Sequence, residues 1–140
     1  MSKVAIVYWS GTGNTEAMAN FIAEGAKEAG AEAAVFQAAD FKQAQVADFD
    51  ALAFGCPSMG VEELEDGEFA PMFDSVKGLL SGKKVALFGS YGWGDGEWMR
   101  TWQSDVEADG ISLVAEGLIV NEMPDSEGEA LCKALGAKLA

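Results

Sequence analysis

The chain has 140 residues, 49% of them apolar, with 23 acidic against 9 basic side chains, a formal charge of −14 and no histidine. This length suits one domain, expected over residues 1–140, and the charge excludes strong attraction to nucleic acid or to an anionic membrane surface. The lack of histidine excludes imidazole metal sites, hydrolytic triads and imidazole proton relays.

The run KVAIVY (3–8) is almost continuously apolar, which predicts a strand buried on both faces. YWSGTGNT (8–15) follows, and its glycine and threonine place a loop where that strand ends. TEAMANFIAEGAKEAG (15–30) sets Ala19, Ile22 and Ala26 on one stripe with Met18 and Phe21 beside it. It closes on Gly30, a residue suited to a helix C-terminus, so the spacing predicts a helix. AEAAVF (31–36) is a weaker strand, and DFKQAQVADFD (40–50) offers only a short amphipathic turn. ALAFGC (51–56), KVALFG (84–89) and LIV (118–120), the last preceded by ISLVA (111–115), complete five strands. Helical patterns over 69–80, 97–109 and 126–139 alternate with them.

Parallel strands need crossover connections, so this alternation predicts an α/β fold: a doubly wound five-stranded parallel sheet with helices on both faces. Ligands of such sheets bind beyond the carboxyl ends of the strands. Three glycine-rich loops fall at that end: WSGTGNT, PSMG and SYGWGDG. Cys56 and Cys132 match no metal or disulfide spacing, and Cys56 reads as a buried core thiol. With no apolar stretch near 18 residues and no secretory signal pattern, a soluble cytoplasmic protein is expected.

A loop passing from strand to helix presents free backbone N–H groups at the positive end of the helix dipole, so it can bind phosphate without a charged side chain. Ser10, Thr12 and Thr15 add hydroxyl donors, Gly11 and Gly13 allow close approach, and Asn14 is suited to cap the helix or to serve as a ligand. The alternative is a plain tight turn with a capped helix. A Walker loop would need a lysine, and the dinucleotide fingerprint a small residue where Glu16 stands. In the other two loops, Tyr91 and Trp93 amid three glycines and Met59 in PSMG offer a stacking platform and a polarizable opposing wall.

The segments YWSGTGNTEAMAN (8–20), CPSMGVEELED (56–66), GKKVALFGSYGWGDGEWM (82–99) and NEMPD (121–125) resemble the short-chain flavodoxins of anaerobic bacteria over essentially the whole chain. The resemblance implies strand order 2-1-3-4-5, tightly but non-covalently bound FMN, and one-electron transfer between redox proteins rather than substrate turnover. By the same resemblance Ser10, Gly11, Thr12, Gly13, Asn14 and Thr15 form the phosphate loop. Trp93 covers the outer flavin face and Met59, with Ser58 in the same loop, lies at the inner one. Ser90, Tyr91 and Gly92 border the ring, Glu62 hydrogen-bonds the flavin N3 hydrogen, and Asn121 borders the ribityl chain. The peptide at Gly60 turns on reduction so that a carbonyl accepts the N5 hydrogen, favouring the neutral semiquinone. Val61 departs from the small or acidic residue of relatives, and its β-branch disfavours some turn geometries.

EELEDGE (62–68) carries five carboxylates. A unit charge about 8 Å away at an effective dielectric near 20 costs about 2 kcal/mol, or roughly 90 mV per electron, so these groups would lower the potential of the second electron. The acidity suits basic-surfaced redox partners, and a monomer is expected. The rival enzyme reading is an FMN-dependent NAD(P)H:quinone reductase, which needs room over the flavin where Trp93 is expected to lie.

Overall fold

The computed structural model describes residues 2–11, 13–59, 64–92 and 94–140. Five strands, β1 (Lys3–Tyr8), β2 (Glu32–Gln37), β3 (Ala51–Gly55), β4 (Lys84–Tyr91) and β5 (Leu118–Asn121), form one sheet in the order β2-β1-β3-β4-β5. All four pairings are parallel. Helices α1 (Asn14–Glu28), α2 (Phe69–Val76), α3 (Glu97–Ala108) and α4 (Ser126–Leu139) connect or follow the strands. The sheet and strand order expected from the sequence are thereby observed. Among the described residues, no helix is long and apolar enough to cross a membrane.

Alternation along each strand divides the core in two. Val4, Ile6 and Tyr8 face α1 and α4 beside the small Ala51, Ala53 and Ala86, whereas Ala5, Val7, Leu52 and Phe54 face the aromatic-rich α2 and α3. The small residues let α1 and α4 lie close to the sheet and to each other. A Cβ added at Gly25 would run into the Lys133 carbonyl, and one at Gly136 into that of Ile22.

One apolar run differs from its sequence expectation, while the short turn expected within 40–50 is observed. Residues 111–115 form only an isolated bridge, Leu113 to Val85, because the amide of Ile111 turns back to the Val106 carbonyl at 3.1 Å and ends α3. The stretch between β2 and β3 holds two short 3-10 turns, Ala38–Asp40 and Gln43–Asp48. Phe36, Phe41 and Phe49 pack together beside these turns with ring centroids 5.2 to 6.4 Å apart.

Candidate functional site

The loops at the carboxyl edge of the sheet enclose a cleft of about 800 Å³, within the range of small-molecule sites. Trp9, Gly11 and Asn14 reach it from the loop after β1, and Pro57, Ser58 and Met59 from the one after β3. Ser90, Tyr91 and Gly92 line it at the end of β4, and Asn121, Glu122 and Met123 after β5. A second, polar cleft of about 520 Å³ adjoins it toward β2, with Ser10, Gly11, Gly13 and Glu16 in its wall. Trp9 borders both clefts. Among the described residues neither cleft is lined by lysine or arginine.

The first loop turns into α1 at Gly13, whose φ of 95° lies in the left-handed region that glycine occupies without steric cost. Gly13 is the N-cap and gives the helix no side-chain cap, while Asn14 is its first residue and lines the larger cleft. The capping role considered for Asn14 is therefore corrected. Its position one residue inside the helix leaves it free to face a ligand. Ser10 Oγ accepts the Gly13 amide at 3.0 Å, shaping the turn. Thr15 is fully buried, and its Oγ1 accepts the Ser90 amide at 3.4 Å, tying the base of this loop to β4.

The other loops are braced from outside. The Ser58 amide donates to the Ser90 carbonyl at 3.1 Å, joining the loops after β3 and β4. Tyr91 lies against Trp98 with centroids 5.7 Å apart, so its ring has a core contact as well as a place in the cleft wall. Asn121 Nδ2 donates to the Tyr91 carbonyl at 3.2 Å. The sequence-identified residues Ser10, Gly11, Gly13, Asn14, Thr15, Ser58, Met59, Ser90, Tyr91 and Gly92 thus gather at this edge. Thr12, Gly60, Glu62 and Trp93 lie outside the described residues.

Trp9, Glu122 and Met123 were not singled out by sequence reasoning. Trp9 Nε1 donates to Glu68 Oε1 at 2.9 Å, which holds the indole beside Gly11. An aromatic residue one step beyond a buried strand was the available signal. Tyr8 Oη donates to Glu16 Oε2 at 2.8 Å, and burial, with that bond and the nearby charge, pushes the Tyr8 phenol up to about 12.

Two features test whether these residues suit an anionic planar cofactor. Among the described residues, Ser58 Oγ and Trp102 Nε1 are the buried side-chain polar atoms without a hydrogen-bond partner. Trp102 lies deep among Phe69 and Phe73, but Ser58 lines the cleft, so its hydroxyl is available to a ligand there. The helix start supplies the second: its first amides have no intrahelical acceptor and Gly13 brings no side-chain cap. An anion with further hydrogen-bonding groups satisfies both.

The flavodoxin family model matches residues 6–136. The chain is 51% identical to a flavodoxin of Megasphaera elsdenii over 137 residues, covering 98% of each chain. It is 47% identical to a flavodoxin of Clostridium beijerinckii over 135 residues, covering 96% of this chain and 97% of that one. The solution structure of two-electron reduced Megasphaera elsdenii flavodoxin superposes with a TM-score of 0.88, covering 97% of both chains at 51% identity. The chain belongs to the flavodoxin family, in its short-chain class. It is an FMN-dependent electron carrier rather than a substrate-turnover enzyme, and its partners are redox proteins. With full-length relatives of this kind, the quinone reductase alternative is not favoured.

Proposed function

We propose that the cleft at the carboxyl edge of the sheet holds FMN and that its surroundings make the protein a low-potential one-electron carrier. The observation that carries the assignment is the convergence of an uncapped helix start and an unpartnered Ser58 hydroxyl on one edge of the sheet. Ser10, Gly11, Thr12, Gly13, Asn14 and Thr15 hold the phosphate through backbone amides and hydroxyls, without a cation. Met59 and Trp93 take opposite faces of the ring, and Glu62 accepts from its N3 hydrogen. Ser90, Tyr91 and Gly92 border the polar edge, with Ser58 and Asn121 supplying further polar groups. Gly60 or its neighbour offers a carbonyl to the hydrogen at N5. When bound, FMN supplies the one-electron chemistry.

The negative surroundings oppose addition of a second electron. The formal charge of −14, and carboxylates such as Glu122 at the cleft, support this reading and a basic surface on the redox partner. Met123, 55% exposed on the cleft wall, adds an apolar contact point for that partner. We assign a monomer with one domain over residues 1–140, working in the cytoplasm, a setting that suits two free, buried thiols. Titration of the apoprotein with FMN, for the parent and for Trp93→Ala, tests the ring assignment. The variant is expected to bind FMN more weakly, and equal affinity would overturn it.

A further inference from the structure

Cys56 follows β3 directly and is fully buried beneath the loop that carries Met59. Among the described residues its thiol makes two hydrogen bonds. The Glu65 amide donates to Sγ at 3.3 Å, and Sγ–H donates to the Pro57 carbonyl at 3.5 Å. Pro57 precedes Met59 and Glu65 leads into α2, so one sulfur connects residues on both sides. Sulfur suits this task, since its long C–S bond and diffuse lone pairs reach an amide at a distance where a serine oxygen falls short.

Each side is fixed to a different part of the core. On the near side, the Cys56 amide donates to the Phe88 carbonyl at 3.1 Å, and the Cys56 carbonyl accepts Trp98 Nε1–H at 3.1 Å. The Ser58 amide continues this attachment onto β4 through Ser90. On the far side, the Glu65 carboxylate accepts the amides of Gly67, Glu68 and Phe69, each at 2.8 Å, and so belongs to the start of α2. The Glu65 N–H···Sγ bond therefore joins an anchor on β4 and α3 to an anchor on α2.

We propose that the Cys56 thiol is a positioning residue that latches Glu65 to Pro57, restricting how far the segment holding Met59 can move when FMN binds and changes redox state. The proposal rests on the reading that this loop borders the flavin ring. It acts through the loop, since the sulfur is sealed in the core. Burial pushes the thiol up to about 12, so it stays protonated and keeps both its donor and acceptor roles at neutral pH. Cys132 supplies a matched control: it is equally buried, but it sits in α4 in the core on the other face of the sheet.

The test compares FMN-loaded and FMN-free forms of Cys56→Ala, Cys56→Ser, Cys132→Ala and Met59→Ala, measuring FMN affinity, the separation of the two one-electron potentials, and exchange of the Glu65 amide. Cys56→Ala is expected to weaken FMN binding about fivefold, the size of one lost hydrogen bond, to change the separation, and to speed Glu65 exchange even without FMN. Cys56→Ser, which keeps a small polar group in the same space, should shift all three in the same direction. Cys132→Ala should lower stability through its lost thiol but leave all three unchanged. The latch is overturned if Cys56→Ala matches Cys132→Ala while Met59→Ala still alters affinity and potentials. If Met59→Ala alters neither, the ring-bordering reading itself fails, and the latch with it.

Discussion

Ser90 and Glu122 are joined by a short hydrogen bond: the Ser90 hydroxyl donates to the Glu122 carbonyl at 2.7 Å. The Glu122 amide donates in turn to the Tyr91 carbonyl at 2.7 Å, so the loop after β5 is clasped to the end of β4 from two sides. Glu122 adopts φ 57°, the one positive value among the described non-glycine residues, and this clasp holds it there. Ser90→Ala should cost about 1 kcal/mol of stability, as expected for one hydrogen bond, measured by denaturant unfolding. Glu122→Val should cost about 1–2 kcal/mol, because a β-branched residue resists the left-handed region, whereas Glu122→Gly should be nearly neutral.

Glu65 should give the protein a distinct acid response. Burial pulls its carboxyl upward, but backbone amides of Phe69, Glu68 and Gly67 outweigh that and hold it below the ordinary 4.5. A carboxylate depressed in the folded state stabilises fully above its unfolded value and loses that contribution as pH falls through the folded one. Glu65→Gln should therefore be less stable than the parent near neutrality, by about 1–3 kcal/mol for loss of charged acceptance. The two stability curves should converge at pH well below 4.5.

At alkaline pH three buried groups act together. Burial pushes Cys56 and Cys132 from 9.0 to about 12, and burial with Glu16 pushes Tyr8 from 10.0 to about 12. Groups raised in the folded state stabilise it fully below their unfolded values, and that contribution is lost as pH rises toward the folded ones. Stability should fall steadily between about pH 9 and 12, and Cys132→Ala should show a shallower fall over that window. An equal slope in both proteins would contradict the assignment.

Neutralising the acidic loop should raise the potential of the second electron. The informative variant combines Glu62→Gln, Glu63→Gln and Asp66→Asn and leaves Glu65 intact, because its three amide bonds start α2. The shift, measured by redox titration, should shrink at high salt as screening takes over. An unchanged potential at low salt would remove the electrostatic part of the account.

The three central strands β1, β3 and β4 were legible because burial on both faces writes nearly unbroken apolar runs, and Ser126–Leu139 matched its helical pattern end to end. The run 111–115 resembles a strand for the same reason, but it makes only one bridge to β4, with Ile111 and Leu113 packed on the α3 side of the core and Val114 and Ala115 on the other. Composition alone cannot separate those uses. The glycine-rich loops announced the edge where the cleft lies, since glycine clusters mark turns wherever they occur. Glu65 was hidden within a run of like charges, and only the path of the backbone shows that its carboxylate turns inward to three amides. Trp9 is marked in the sequence only by its place one step beyond a buried strand, and its bond to Glu68, distant in sequence, is not legible there.

The most direct test of the central claim is titration of the apoprotein with FMN and, separately, with riboflavin, followed by quenching of flavin fluorescence. On the proposed site, phosphate at the start of α1 would gain several charge-assisted hydrogen bonds, so FMN should bind at one per chain and about a hundredfold or more tighter than riboflavin. Equal affinity for the two flavins, or no saturable quenching by FMN, would contradict the account.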